Sequence, residues 1–334
     1  MRQYRIGILG ATGAVGREMM KVLEERKFPI SELRLLAGAG SAGKRISFMG
    51  KEHTVIQASE DAFEGLDIVL GAAENDIAMR FAPAIVKTGA VFVDNSSAFR
   101  LYEDVPLVVS EINPEDVRKH RGIIANPNCT TIISLVALNA LNKESPIESI
   151  IASSYQAVSG AGAQGISELS EETAAIAAGA AVKPSVFPYQ IAYNVIPQIG
   201  SEALMGYTSE EMKLQNEGRK ILHSPELKVS CTCVRVPVFR SHSVSLLIRT
   251  KEKISAARAR ELIAAAAGCR LTDDIANRVY PMPLDTSDQD LVYVGRIRDD
   301  LTDERGLNLW CCGDQLRKGA ATNAVQIAEI VAGL

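Results

Sequence analysis

The feature that most constrains this fold is Tyr4-Arg-Ile-Gly-Ile-Leu9 running into Gly10-Ala-Thr-Gly-Ala-Val-Gly16. The first six residues read as a short buried strand. Glycines then impose a tight turn, and apolar Met19, Met20, Val22 and Leu23 predict a helix over residues 17–26. Strand, glycine turn and helix in that order are the context in which a backbone approaches a pyrophosphate and a helix N-terminus stabilises it. The spacing is Gly-x-x-Gly-x-x-Gly, a variant of Gly-x-Gly-x-x-Gly. Gly10, Thr12, Gly13, Ala14 and Val15 are the predicted cofactor contacts. A plain tight turn is the other reading.

The same grammar continues. Strand patterns at 32–37, 67–72, 90–94, 105–109 and 122–125 alternate with helical ones, including 75–88. This predicts an α/β, Rossmann-like, doubly wound and mostly parallel sheet, with ligands gathered at the carboxyl ends of its strands. Those ends carry Gly10, Ala73, Asn95-Ser96-Ser97 and Asn126, and Arg100 lies just past one of them. Arg100 is either a bidentate anion ligand or an ordinary surface ion pair. After the second strand comes Gly38-Ala-Gly-Ser41-Ala-Gly-Lys44-Arg45, with no carboxylate for a ribose 2′-hydroxyl. A hydroxyl at Ser41 and two cations suit a 2′-phosphate, hence NADP. A solvated hairpin edge is the alternative for Lys44 and Arg45.

Ala125-Asn-Pro-Asn128-Cys129-Thr-Thr131 precedes the apolar run 132–138. Asn-Pro favours a turn, so a helix must begin close to Cys129. A thiol at a helix N-terminus has its pKa lowered below the free value of about 8.5, which makes Cys129 a candidate nucleophile. A buried cysteine packing as a small hydrophobe is the bland alternative.

From about residue 148 the pattern changes to long strands at 149–158, 228–236, 242–250, 291–297 and 306–312, with helices at 165–179 and 255–267. This predicts an α+β second domain with an antiparallel or mixed sheet. The expected division is residues 1–128 for dinucleotide binding and 129–315 for the second domain. A last helix over 316–331 would let residues 316–334 pack back on the first domain. Arg235 and His242 are seven residues apart with Pro237 between them, so strand alternation alone cannot place both in one crevice.

Composition narrows the function class. A chain of 334 residues with net charge −4 offers no electrostatic footprint for nucleic acid or anionic membrane. No apolar run reaches bilayer length and no signal peptide precedes the first strand, which points to the cytoplasm. Four scattered histidines, and Cys231-x-Cys233 without a second ligand pair at zinc spacing, argue against a metal site. Both thiols fall on one face of a strand and read as core, as do Cys269, Cys311 and Cys312.

Residues 10–16 join Asp94-Asn-Ser-Ser-Ala-Phe-Arg100, Pro127-Asn-Cys-Thr-Thr131 and Tyr155-Gln-Ala-Val-Ser-Gly-Ala-Gly162 as matching pieces. Cys233-Val-Arg-Val-Pro-Val-Phe-Arg-Ser-His242 and Leu316-Arg-Lys-Gly-Ala-Ala-Thr-Asn323 complete the set. In this order the chain resembles the aspartate-semialdehyde dehydrogenases over essentially its whole length. The resemblance implies reduction of L-4-aspartyl phosphate by NADPH to L-aspartate 4-semialdehyde and phosphate, on the route to lysine, threonine and methionine. It implies a Cys129 nucleophile, a His242 acid/base and Gln156 positioning the acyl group. Arg235 falls on the ligand of the substrate α-carboxylate and Glu210 on that of its amino group. Arg100 and Lys213 fall on the phosphate cations, and Asn128 lies in the substrate motif. Ser159 and Gly160 fall near the nicotinamide, and Gln315 on a further cofactor contact. A homodimer or dimer of dimers is implied as well, with residues 129–315 as the catalytic and dimerisation domain. Two positions depart from the family pattern. Gly40 replaces a frequent arginine near the ribose, which keeps NAD open, and Val244 replaces a frequent glutamate. An N-acetylglutamyl-phosphate reductase is the rival enzyme, although its blocked nitrogen would leave Glu210 without a charge partner. A non-catalytic paralogue should have lost Cys129, His242, Arg100 or Lys213.

Overall fold

The computed structural model describes residues 2–334. They form two compact units. One runs to Asn128 and takes in Ala320–Leu334; the other is Cys129–Gly319.

In the first unit, β1 (Tyr4–Leu9), α1 (Ala14–Glu25) and β2 (Ile30–Ala37) are followed by a hairpin of β3 (Arg45–Phe48) and β4 (Lys51–Thr54). Then come β5 (Ile56–Gln57), β6 (Ile68–Gly71), α2 (Asn75–Lys87), β7 (Val91–Asp94) and β8 (Ile123–Ala125). The sheet order is β5-β2-β1-β6-β7-β8 and every pairing is parallel. Strand order reverses between β1 and β6, so a crevice opens at their carboxyl ends. Ile6, Ile8, Ile68, Leu70 and Val93 fill the core with Met19, Val22 and Leu23 of α1.

Residues 105–109 are not the expected strand. Pro106 has no N–H to give a ladder, and Asn113 captures two of the remaining backbone groups. Its Oδ1 accepts from the Val109 N–H at 3.0 Å, and its Nδ2 donates to the Leu107 carbonyl at 2.9 Å. A single bridge, Leu107 to Ala125, remains.

The second unit begins with α3 (Cys129–Glu144), β9 (Ile147–Gln156) and α4 (Gly162–Ala177). A short antiparallel pair, β10 (Glu202–Leu204) and β11 (Tyr207–Thr208), leads into α5 (Ser209–Ile221). It continues with β12 (Lys228–Arg235), β13 (His242–Thr250), α6 (Ala256–Ala264), β14 (Cys269–Leu271), α7 (Pro283–Thr286), β15 (Val292–Asp299) and β16 (Gly306–Gly313). The sheet order is β12-β9-β13-β16-β15-β14. Its two outer pairings are parallel and the three inner ones antiparallel, so the sheet is mixed. α3 is apolar from Ile132 to Leu138 except for Ser134 and buried throughout that stretch, as a helix with no charged face must be.

The final helix starts later than expected. Asp314 Oδ1 accepts the N–H groups of Leu316 and Arg317, its carbonyl accepts that of Gly319, and residues Arg317–Ala321 form a π turn. Only then does α8 (Thr322–Ala332) begin, burying Ala324, Val325, Ile327 and Ala328 in the first unit's core. No described helix is long and apolar enough to cross a membrane.

Candidate active site

In the first unit the glycine turn is sterically enforced. Gly10 has φ +89°, and a Cβ there would lie 2.3 Å from the Ala72 carbonyl oxygen. α1 starts at Ala14 and Val15 with neither a side-chain cap nor an acidic residue in its first turn. Its free N–H groups and dipole therefore suit an anion. Thr12 Oγ1 donates to Ser41 Oγ at 3.3 Å, and Lys44 Nζ donates to the same oxygen at 3.5 Å. Gly10, Thr12, Gly13 and Ala73 line one cavity of about 380 Å³ whose lining contains no carboxylate. These residues fit a dinucleotide. Arg80 of α2 also lines that cavity, a cation that pattern reading passed over. Lys44 and Arg45 are exposed, and Arg45 opens the β3–β4 hairpin.

Arg100 is buried. Its Nε donates to the Asn126 carbonyl at 3.0 Å and its Nη2 to the Asn95 carbonyl at 2.7 Å, tying it to the carboxyl ends of β7 and β8. Asn128, also buried, ends this unit. Asp94 beneath them is pushed above the usual carboxylate range by burial, against the pull of Ser96 and Arg100.

In the second unit β9 solves the placement problem that spacing left open. β12 runs parallel on one side of it, pairing Arg235 with Gln156. β13 runs antiparallel on the other, pairing Ser243 with Tyr155. The end of β12 and the start of β13 thus flank the carboxyl end of β9. The intervening bend follows the β9 extension, with Val158 N–H donating to the Val238 carbonyl and Ser159 N–H to the Phe239 carbonyl.

Ala157 holds both candidate side chains. Its N–H donates to His242 Nδ1 at 3.1 Å, and its carbonyl accepts from Arg235 Nη1 at 2.7 Å. With Nδ1 acting as acceptor, the neutral ring carries its proton on Nε2. That nitrogen is buried without a hydrogen-bond partner among the described residues. Burial, and then Arg235, pull the imidazole down to about 3, with Glu210 opposing. A Cβ at Gly160 would lie 2.6 Å from Arg235 Nη1 and 3.3 Å from His242 Cε1, so the backbone itself occupies the space between the two side chains.

Cys129 is the first residue of α3 and half-buried. A Cβ at Gly319 would lie 2.8 Å from the Cys129 Cβ and 3.3 Å from the Gln315 Cβ, which fixes these two residues around one turn. Arg235 lies within electrostatic reach of Cys129, which opposes the lowering of its pKa by burial. The Gln315 carboxamide donates to Ser159 Oγ and accepts from the Ser241 N–H at 2.9 Å, so both its ends are engaged inside the protein. Ser241 has φ +74°, and its Oγ meets Thr286 Oγ1 at 2.6 Å.

Gln156 Nε2 donates to Glu210 Oε1 at 3.2 Å, and Lys213 Nζ to Glu210 Oε2 at 2.7 Å. The last pair lies one turn apart on α5, a helix whose sequence signal is a capping box. Glu211 receives the Thr208 N–H at 2.8 Å and returns its own N–H to Thr208 Oγ1. Glu211 Oε1 also accepts the Cys233 N–H at 2.9 Å, which docks α5 on β12. Gln156, Glu210, Lys213, Arg235, His242, Ser159, Gly160, Gln315 and Cys129 all belong to this one unit. Cys231 and Cys233 are buried with sulfurs 3.7 Å apart, and the described residues hold no metal-binding cluster.

Two family models match the chain: the semialdehyde dehydrogenase NAD binding domain over residues 5–120, and the semialdehyde dehydrogenase dimerisation domain over 138–318. The aspartate-semialdehyde dehydrogenase of Aquifex aeolicus (strain VF5) is 49% identical over 332 residues, covering 98% of each chain. The Bacillus subtilis (strain 168) enzyme is 45% identical over 98% of this chain and 97% of its own. This chain belongs to the aspartate-semialdehyde dehydrogenase family. Its fold is that of the family too. The crystal structure of aspartate semialdehyde dehydrogenase II complexed with ASA from Vibrio cholerae aligns with a TM-score of 0.97. It is 42% identical and covers 100% of this chain and 99% of that one. Gly40 has open space around its Cα, while Val244 is fully buried in β13.

Proposed function

We propose that this family member converts L-4-aspartyl phosphate to L-aspartate 4-semialdehyde through a thioester on Cys129. The observation that carries the reading is the junction at Ala157, which holds a buried arginine and a neutral histidine in the unit whose α3 helix starts at Cys129. The α3 N-terminus and Arg235 put positive charge beside the sulfur, favouring an anionic nucleophile. Attack on the acyl carbon forms the C–S bond, the carbon–oxygen bond to phosphate breaks, and inorganic phosphate leaves. Arg100 and Lys213 are assigned to the phosphate group on the strength of the resemblance, and Asn128 to the substrate. Arg235 takes the α-carboxylate, and Glu210 takes the ammonium in exchange for its bonds to Gln156 and Lys213. An acetylated nitrogen would offer that half-buried carboxylate nothing. Gln156 orients the acyl group.

The nicotinamide dinucleotide, when bound, supplies the hydride that turns the thioester into the aldehyde oxidation level. His242 then acts at the substrate oxygen through Nε2–H, a donor with no internal partner, as negative charge collects there on reduction. Collapse breaks the C–S bond and returns the thiolate. NADP is the proposed coenzyme. It would be held by Gly10, Thr12, Gly13, Ala14, Val15, Ser41 and Ala73, with Ser159, Gly160 and Gln315 at the nicotinamide end. The cation Arg80 and the absence of a carboxylate from the cavity lining support a 2′-phosphate. A homodimer or dimer of dimers in the cytoplasm completes the reading. The dimerisation-domain match and the exposed Ile151 and Tyr155 on β9 support the assembly, and six cysteines outside any disulfide suit a reducing compartment.

The test is phosphate-dependent oxidation of aspartate semialdehyde, with NADP and with NAD. Cys129→Ala should lose turnover by about 10⁴-fold or more while coenzyme still binds. Turnover within tenfold of wild type would remove the thioester from the mechanism.

A further inference from the structure

Residues 178–201, between α4 and β10, contain no regular element. Irregular stretches this long inside a compact unit are uncommon unless they serve a site. This one wraps Arg235 at two points. The guanidinium carbon lies 5.7 Å from the centroid of the Phe187 ring. Further along, Ile196 and Arg235 exchange both backbone hydrogen bonds, at 2.9 and 2.8 Å.

Two buried carboxylates on α4 hold the stretch. Glu168 Oε2 accepts from the Ser185 N–H at 2.8 Å, from Ser185 Oγ at 2.7 Å and from the Val186 N–H. Its Oε1 accepts from the Phe187 N–H at 3.0 Å. Glu172, one turn along the same helix face, takes the N–H groups of Ile191 and Ala192, each at 2.8 Å. Its Oε1 is buried with no hydrogen-bond partner among the described residues. Leu169 between them packs with Val158, Phe187, Ile191 and Ile196 in a small separate core. Charge buried this way costs free energy unless the backbone donors stay in place, so each glutamate fixes its donors firmly.

We propose that Glu168 and Glu172 are positioning residues for Arg235. By seating Phe187 and the chain leading to Ile196 against it, they set the enzyme's discrimination for substrates that carry an α-carboxylate. The proposal rests on the assignment of that carboxylate to Arg235. The guanidinium donates to the Ala157 carbonyl on one side and stacks over Phe187 on another, so its free donors have one orientation in which to meet a planar anion. Releasing Phe187 frees the guanidinium to turn, and the loss falls on carboxylate capture rather than on the thiol chemistry.

The experiment compares aspartate semialdehyde with 3-aminopropanal, the same aldehyde without the carboxylate, on wild type, Glu168→Gln, Glu172→Gln, Phe187→Leu, Arg235→Ala and the Glu168→Gln/Arg235→Ala double variant. Glu168→Gln should raise KM for aspartate semialdehyde about tenfold with kcat within about twofold, and leave KM for 3-aminopropanal unchanged. Phe187→Leu, which keeps an apolar core residue, should do the same if the glutamate variants fold poorly. In the double variant the discrimination should fall no further than in Arg235→Ala alone. Equal losses on both aldehydes, or independent multiplication in the double variant, would overturn the proposal. If Arg235→Ala itself left the discrimination intact, the carboxylate assignment would fail instead.

Discussion

The two units reach their sites by different routes. In the first, the candidate cofactor face is organised locally: one strand, one turn and one helix within residues 4–25 form its centre, and the neighbouring strand connection at Ala72 supplies the steric demand at Gly10. In the second, Arg235, His242 and Gln156 meet only because β12 and β13 bracket β9 in opposite senses. Local motifs announce themselves in a sequence; a meeting place made by strand pairing does not. The lesson is that substitutions should separate the two units by what they break.

The largest separation should come from one added methyl in each. Gly160→Ala puts a Cβ 2.6 Å from Arg235 Nη1 and close to the His242 ring, at a position with no positive φ. We expect kcat/KM to fall by about 10²-fold as Arg235 and the ring shift, with a smaller loss of stability than at Gly10 because a side-chain end gives way more readily than backbone. Gly10→Ala meets backbone rather than a side-chain end, and at φ +89°. It should cost about 2–4 kcal/mol of stability and most of the coenzyme affinity. Calorimetry alongside steady-state kinetics distinguishes them, and identical profiles for both variants would erase the contrast.

Next in size is a pH effect confined to the second unit. An unfolded imidazole titrates near 6.5, whereas buried His242 is held down to about 3. Between those values the unfolded chain binds a proton that the folded one refuses. Stability therefore falls as pH drops through this window, and above it the group contributes no slope. His242→Gln should remove that component, at most about 5 kcal/mol across the window, measured by urea denaturation from pH 8 downward. Parallel stability curves for the two proteins would mean that the ring titrates normally in the fold.

The smallest effect sharpens the coenzyme side. Lys44 is exposed and touches Ser41 only at the limit of a hydrogen bond. Its replacement by Ala should lower the NADP-to-NAD preference by no more than about threefold, since an exposed cation contributes little. Arg80→Ala should lower it further, because Arg80 lines the cavity. The reverse ranking would move the 2′-phosphate to the hairpin.

Much of this was legible beforehand. The glycine turn, the parallel sheet and the helix that opens at Cys129 followed from spacing and turn chemistry. Residues 105–109 misled because an apolar run with strand composition hides what Pro106 withholds and Asn113 takes away. The late start of α8 depended on Asp314 gathering nearby N–H groups, which no helical periodicity reveals. The Thr208–Glu211 capping box was readable and would have found α5. Glu168, Glu172 and Phe187 carried no local signal. Their partners lie in an irregular segment whose path only the folded chain defines.

Ala157 has a practical corollary. A methyl side chain does none of its work; a main-chain donor and a main-chain acceptor do. Scanning by side-chain truncation is blind to such a position, since the wild-type residue is already the scan's end point. An amide-to-ester exchange by chemical ligation, deleting the single N–H that faces the imidazole, is the perturbation that would expose it.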